Sequence, residues 1–200
     1  MQIPPKIIVL TGTPGVGKTV VAKALASKLN AQYISLGNIV KEENLVLEVD
    51  EARDTIVVDL KKLSKRIKEI LGKSMGCVVI EGHYAPDVVP ESFAPYIFVL
   101  RRELGKLKAE FEARGYDERK ISENLASEML DVCLVNAVGK HGLERVDEID
   151  VTDMRVKDVV DEILKALDGR KSFKIGVVDW FSKLEEDGRL DEILALLEKF

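Results

Sequence analysis

Short apolar runs alternate with amphipathic stretches along this chain. Lys6–Thr11 (KIIVLT), Cys77–Glu81 (CVVIE) and Tyr96–Leu100 (YIFVL) are β-branched or aromatic runs, the pattern of strands buried on both faces. A shorter strand is predicted at Gln32–Ser35 and a last one at Glu148–Thr152. Between them lie stretches of helical spacing. Gly17–Leu29 places Val20, Val21, Ala24, Leu25 and Leu29 on an apolar face, and Val156–Leu167 is similar. Leu36–Val49 reads as a helix with a loosely patterned continuation, and Thr55–Leu71 as an amphipathic helix closed by Gly72. Pro86, Pro90 and Pro95 mark a loop. Two helical arms, Glu103–Ala113 and Asp117–Gly139, flank Arg114-Gly115-Tyr116. Strands alternating with helices predict an α/β fold, a parallel sheet with helices on both faces. Ligands of such sheets bind beyond the carboxyl ends of the strands. The chemistry should therefore follow Thr11, Glu81 and Leu100.

Composition narrows the class. The chain has 200 residues, 46% of them apolar, enough for one domain with a small appendage. Lys and Arg number 30 against 35 acids, a net charge of −5, which argues against nonspecific binding to naked nucleic acid. The two cysteines, Cys77 and Cys133, cannot form a disulfide framework or a zinc site and are expected in the core. No apolar run approaches the roughly 20 residues a membrane span needs. The expected protein is soluble and cytoplasmic, with no membrane partner. After Asp168 the composition shifts: Phe173, Trp180, Phe181 and Phe200 are four of the 11 aromatics. Residues 169–200 are read as an appendage that docks through Phe173, Trp180 and Phe181, away from the active site. Its last helix, Arg189–Phe200, carries Leu190, Ile193, Leu194, Leu197 and Phe200 near one face.

Gly12-Thr13-Pro14-Gly15-Val16-Gly17-Lys18-Thr19 matches G-x-x-x-x-G-K-[ST], between a strand and a helix. Glycines let successive N–H groups turn inward toward phosphate oxygens, and the helix N-terminus adds partial positive charge. Lys18 would meet the β- and γ-phosphates and the Thr19 hydroxyl would ligate Mg²⁺. Glu81, at the end of CVVIE, can hold a water of the Mg²⁺ shell. His83, two residues on, can orient a water or move a proton near neutral pH. Arg101 and Arg102 follow the YIFVL strand. With Arg114 they would let a mobile helical hairpin bring guanidinium groups to a phosphoryl group in flight. His141 is read as structural.

GTPGVGKT at 12–19, SLGN at 35–38, IEGH at 80–83, VLRR at 99–102 and RGYDERKISEN at 114–124 together resemble the adenylate kinase isoenzyme six family. The likeness spans roughly residues 6–168 and is carried chiefly by the acid-x-His pair and the ARGY turn. It implies an adenylate-kinase-like P-loop fold over residues 1–168, with an NMP-binding region at about 35–58 and a short lid at about 113–123. It implies transfer from ATP to AMP giving two ADP, with Mg²⁺ as cofactor, an ATPase activity, and a role in maturing the small ribosomal subunit beside a small-subunit ribosomal protein. Carried over by position, Gly12, Gly15, Val16, Gly17, Lys18, Thr19, Val20 and Arg114 would contact ATP. Ser35, Gly37, Asn38 and Arg53 would contact the NMP. Lys18, Glu81, His83 and Arg114 would be catalytic, with Thr19 and Glu81 serving the metal. The family commonly carries aspartate at position 81 and a Gly-Asp pair at 37–38, and has no counterpart to the stretch after Asp168. The residues leave two other readings open. One is a ribosome-assembly switch with incidental kinase turnover. The other is a kinase for a non-nucleotide acceptor such as shikimate or a sugar acid. No dedicated nucleic-acid motif is visible.

Overall fold

The computed structural model describes residues 5–50 and 55–197. Five strands form one parallel sheet: β1 (Lys6–Thr11), β2 (Gln32–Ser35), β5 (Cys77–Glu81), β6 (Tyr96–Arg101) and β7 (Val146–Asp150), in the spatial order β2-β5-β1-β6-β7. β3 (Val46–Asp50) and β4 (Thr55–Val58) pair separately as an antiparallel hairpin. The helices are α1 (Lys18–Leu29), α2 (Leu36–Glu42), α3 (Leu60–Lys73), α4 (Ala85–Val88), α5 (Leu104–Ala113), α6 (Glu118–Met129), α7 (Val132–His141), α8 (Val156–Leu167), α9 (Trp180–Glu186) and α10 (Leu190–Leu197). None among the described residues is long and apolar enough to cross a membrane.

The strand runs are apolar throughout because both faces are covered. Successive side chains point to opposite faces, so β1 sends Ile8 and Leu10 into one core and Ile7 and Val9 into the other. The first core is closed by α1, α5, α6 and α8, the second by α2, α3, α4 and α7. Trp180, Leu184 and Ile193 are buried in the first core, with Phe173 packed against it. Phe173 lies edge-on to Tyr96 and tilted against Phe98. Phe181, expected to anchor beside them, is exposed. Phe200 lies outside the described residues.

Four predicted elements differ. The helix expected over Leu36–Val49 stops at Glu42, and the helix expected from Thr55 begins at Leu60; a β-hairpin occupies the ground between. The runs VLEV and TIVV favour extended backbone, and Asp59 caps α3 by accepting from the Lys62 N–H at 3.0 Å. The long arm Asp117–Gly139 is two helices. Asp131 breaks it with a left-handed φ of 56°, and its carboxylate accepts from Arg101 Nη2 at 2.5 Å. The last strand runs two residues earlier than expected because Val146 and Ile149 pair with β6 and bury. The proline loop contains α4, with Pro86 in its first turn where its missing N–H costs no bond.

Candidate functional site

β1 lies between β5 and β6, where the strand order reverses. That is where ligands of open α/β sheets bind. The loop 12–17 leaves β1 here and feeds α1. Gly12, Gly15 and Gly17 have φ values of 133°, 86° and 96°, which side chains rarely tolerate. A Cβ on Gly12 would run into the Leu100 carbonyl oxygen, and one on Gly15 would sit 3.0 Å from the buried Phe111 ring. These glycines therefore let the loop lie flat on β6 and α5.

Lys18 begins α1 and is only 8% exposed. Its Nζ donates to the carbonyls of Gly12 at 2.8 Å and Thr13 at 3.0 Å, curling over the loop that it closes. Burial pushes its pKa down, and Arg114 adds to this, while Cys133, Glu81 and Glu128 oppose it. Thr19 and Val20 are exposed in the first turn of α1. The side chain of Val16 is buried in the core.

Glu81 ends β5 in register with Ser35 on β2. Its Oε1 accepts from Ser35 Oγ at 2.7 Å and from Tyr33 Oη at 3.2 Å. The Thr11 hydroxyl donates to the His83 carbonyl at 3.1 Å, tying the two strand ends together. The His83 ring is open to solvent on its cleft side. The protein crowding it, followed by the Lys18 charge, lowers its pKa to about 4, so it is a neutral imidazole at pH 7. The Tyr84 ring meets it edge-on at 4.1 Å.

Beyond the loop opens a cleft of about 950 Å³. Pro14, Gly37, His83, Tyr84, Tyr116 and Asn136 are among its walls. Of the residues expected on the acceptor side, Gly37 lines this cleft and Ser35 is bonded to Glu81. Asn38 is exposed and not part of the wall, and Arg53 lies outside the described residues. The hairpin sends Val49 and Ile56 into the wall.

The arginines divide. Arg101 is 1% exposed and donates to Glu128 at 2.8 Å, Glu148 at 2.5 Å and Asp131 at 2.5 Å. It is thus a core residue and not a free catalytic cation, contrary to its expected place at a moving phosphoryl group. Arg102 Nη1 donates to the Gly15 carbonyl at 2.9 Å, bracing the loop. Arg114 caps the C-terminus of α5, exposed and paired with Glu110 at 2.8 Å. The hairpin expected to be mobile sends Leu107, Phe111, Ile121, Leu125 and Met129 into the core, while the turn at Arg114-Gly115 is exposed. Phe111 and Tyr116 stack at 5.5 Å across that turn.

Glu128 escaped the sequence reading, and with it the link from Thr13 of the phosphate loop to Trp180, which was expected to dock away from the active site. The Thr13 hydroxyl donates to Glu128 Oε2 at 2.6 Å, and the Trp180 indole donates to Glu128 Oε1 at 3.2 Å. No spacing rule joins positions so far apart. His141, read as structural, is buried at the end of α7, its Nε2 2.9 Å from the Pro86 carbonyl oxygen. Cys77 and Cys133 are free thiols packed against the two cores, and Cys133 also lines the cleft.

Parallel sheet, loop and cleft define a P-loop α/β protein of nucleoside-monophosphate-kinase fold. Residues 8–131 match the AAA domain family, to which the chain belongs, and its archaeal relatives are named as putative adenylate kinases. The relative from Methanocaldococcus jannaschii is 42% identical over 88% of this chain and 93% of its own. That from Methanosarcina barkeri is 37% identical over 87% and 97%. That from Saccharolobus islandicus is 33% identical over 97% of both chains, so the residues after Asp168 do have counterparts. Among solved structures, a shikimate kinase from Bacteroides thetaiotaomicron superposes with a TM-score of 0.56 at 18% identity, covering 82% of this chain and 98% of its own. A gluconokinase from Sinorhizobium meliloti gives 0.52 at 19% identity, covering 85% and 95%. At such identities these two share the fold alone.

Proposed function

We propose that this protein transfers the γ-phosphoryl group of ATP to a nucleoside monophosphate, AMP foremost, giving two ADP. The observation that carries this reading is the shared wall between loop and cleft: Pro14 of the phosphate loop and His83, which feels the Lys18 charge, both line a space of about 950 Å³. An enzyme that only hydrolyses ATP has no need of a second substrate cleft. The names of the archaeal relatives support the same reaction.

The loop N–H groups and the α1 N-terminus would receive the phosphates. Lys18, already at the loop, exchanges the Gly12 and Thr13 carbonyls for β/γ oxygens and offsets charge that grows during transfer. Thr19 and Glu81 offer a hydroxyl and a carboxylate, hard oxygen donors that suit Mg²⁺, Glu81 acting through water. The ion supplies neutralisation of phosphate charge when bound. The acceptor phosphate oxygen forms a new bond to the γ-phosphorus while the bond to the β-phosphate oxygen breaks, and ADP leaves. Neutral His83 faces the cleft as a hydrogen-bond acceptor, able to orient a water when no acceptor is present. Arg114 reaches the nucleotide by leaving Glu110. Gly37 and Ser35 border the acceptor side; Asn38 and Arg53 complete it in this reading.

ATP hydrolysis, and a part in maturing the small ribosomal subunit with a ribosomal protein in the cytoplasm, form a finer reading. It rests on the IEGH and RGYDERKISEN motifs. The experiment that separates these is a panel of AMP, other NMPs, shikimate and gluconate as acceptors with ATP and Mg²⁺, run beside an acceptor-free hydrolysis assay. Transfer to AMP well above hydrolysis is expected. Transfer to no NMP would overturn the kinase reading.

A further inference from the structure

Glu128 is 1% exposed, yet it is not part of the loop or the cleft wall. Its carboxylate collects four donors from three separate parts of the chain. Oε2 accepts from Thr13 Oγ1 of the phosphate loop at 2.6 Å. Oε1 accepts from Arg101 Nε at 2.8 Å, the Arg102 N–H at 3.2 Å and Trp180 Nε1 at 3.2 Å. Thr13 is therefore gripped twice, its carbonyl by Lys18 and its hydroxyl by Glu128. When Lys18 turns to a phosphate, Glu128 still holds the Thr13 hydroxyl.

The same carboxylate is where the C-terminal segment meets the loop. The approach to Trp180 is bonded onto β7 at several points. The Glu148 N–H donates to the Lys174 carbonyl at 2.8 Å, the Lys174 N–H to Asp147 at 2.9 Å, and the Val177 N–H to Glu148 Oε2 at 2.8 Å. Glu148 in turn holds Arg101, which holds Glu128. A buried carboxylate with fixed donors cannot move toward one partner without weakening its bonds to the others, because no water replaces them.

We infer that Glu128 is a positioning residue through which the C-terminal segment sets the phosphate loop, so that docking of Trp180 and occupation of the loop by a nucleoside triphosphate are coupled. This rests on the nucleotide reading of the loop. Coupling is reciprocal: whatever the segment does to nucleotide affinity, the nucleotide does to the segment.

Trp180 is the only tryptophan, so its emission reports the Glu128 end of the link directly. The test titrates the full chain with a non-hydrolysable ATP analogue and Mg²⁺, following binding by calorimetry and Trp180 emission in parallel. Wild type should bind and shift its emission with the same midpoint. Thr13→Val keeps the shape and deletes the hydroxyl; it should still bind, about three- to tenfold more weakly, the range one hydrogen bond carries, and lose the emission shift. Trp180→Phe keeps a ring and deletes the indole N–H; it should weaken binding by a similar factor at a little-changed Tm, which serves where Thr13→Val does not fold. Binding without an emission change in wild type, or wild-type affinity in Trp180→Phe, would overturn the coupling while leaving the nucleotide reading intact. No binding by calorimetry would overturn both.

Discussion

Ser35 Oγ donates to Glu81 Oε1 at 2.7 Å, across neighbouring strands held in register. The serine therefore orients the acid expected to serve the metal. Ser35→Ala leaves Glu81 with Tyr33 alone on that oxygen. We expect the Mg²⁺ concentration for half-maximal activity to rise about two- to fivefold, as loss of one orienting hydrogen bond allows, with the KM for AMP changed less. The reverse pattern would place Ser35 on the acceptor instead.

Lys18→Ala removes the mobile charge of the loop. Phosphoryl transfer should fall by at least about a hundredfold, the scale of losing one preorganised charge at a developing anion. The two carbonyl partners of Lys18 belong to a loop held also by Arg102 and Glu128, so the fold should persist. Activity within about threefold of wild type, with circular dichroism unchanged, would contradict the loop assignment.

Gly12→Ala places a methyl against the Leu100 carbonyl at a φ of 133°. Neither the strand nor the loop can yield without breaking β1–β6 pairing. A loss of about 2 kcal/mol or more is expected in chemical denaturation, together with lost nucleotide binding. Wild-type stability would mean that the loop relaxes where the packing says it cannot.

His83 should titrate at about 4, below the usual histidine range, because of its crowded surroundings and the nearby Lys18 charge. The folded state then binds fewer protons than the unfolded chain between about 4 and the ordinary value near 6.5. The contribution of His83 to stability is complete above pH 6.5 and is lost as the pH falls through 4. An NMR titration reads this directly, since there are only two histidines and His141→Gln assigns the signals. A midpoint between 6 and 7 would refute the lowered pKa of the ring.

Leu184 is 3% exposed, buried from α9 into the core that backs the loop. Leu184→Ala should cost about 2–5 kcal/mol, the range for a buried leucine. A cost below about 0.5 kcal/mol, the level of an ordinary surface change, would show the segment to be loosely held.

The sequence by itself determined the five strands of the parallel sheet, the last to within two residues, together with the phosphate loop, Lys18 and Thr19 at the start of the helix that follows it, and Glu81 and His83 at and just past a strand end. These are local signals: a β-branched run, a glycine pattern and a lysine beside it are read within ten residues. The Thr55–Val58 strand was hidden because TIVV also fits the first turn of an amphipathic pattern. Only pairing with Val46–Asp50, across residues between them, decides in favour of a strand. The break at Asp131 was hidden because it is held open by Arg101, 30 residues earlier. Arg101 looked like a catalytic cation because it follows a strand at the right edge. Only the assembled structure surrounds it with Glu128, Glu148 and Asp131 and turns its charge inward. The bond from Thr13 to Glu128 spans 115 positions, and that from Glu128 to Trp180 spans 52. Hydrogen bonds act over about 3 Å whatever the separation along the chain, so these partners exist only once the sheet and its helices have closed around them.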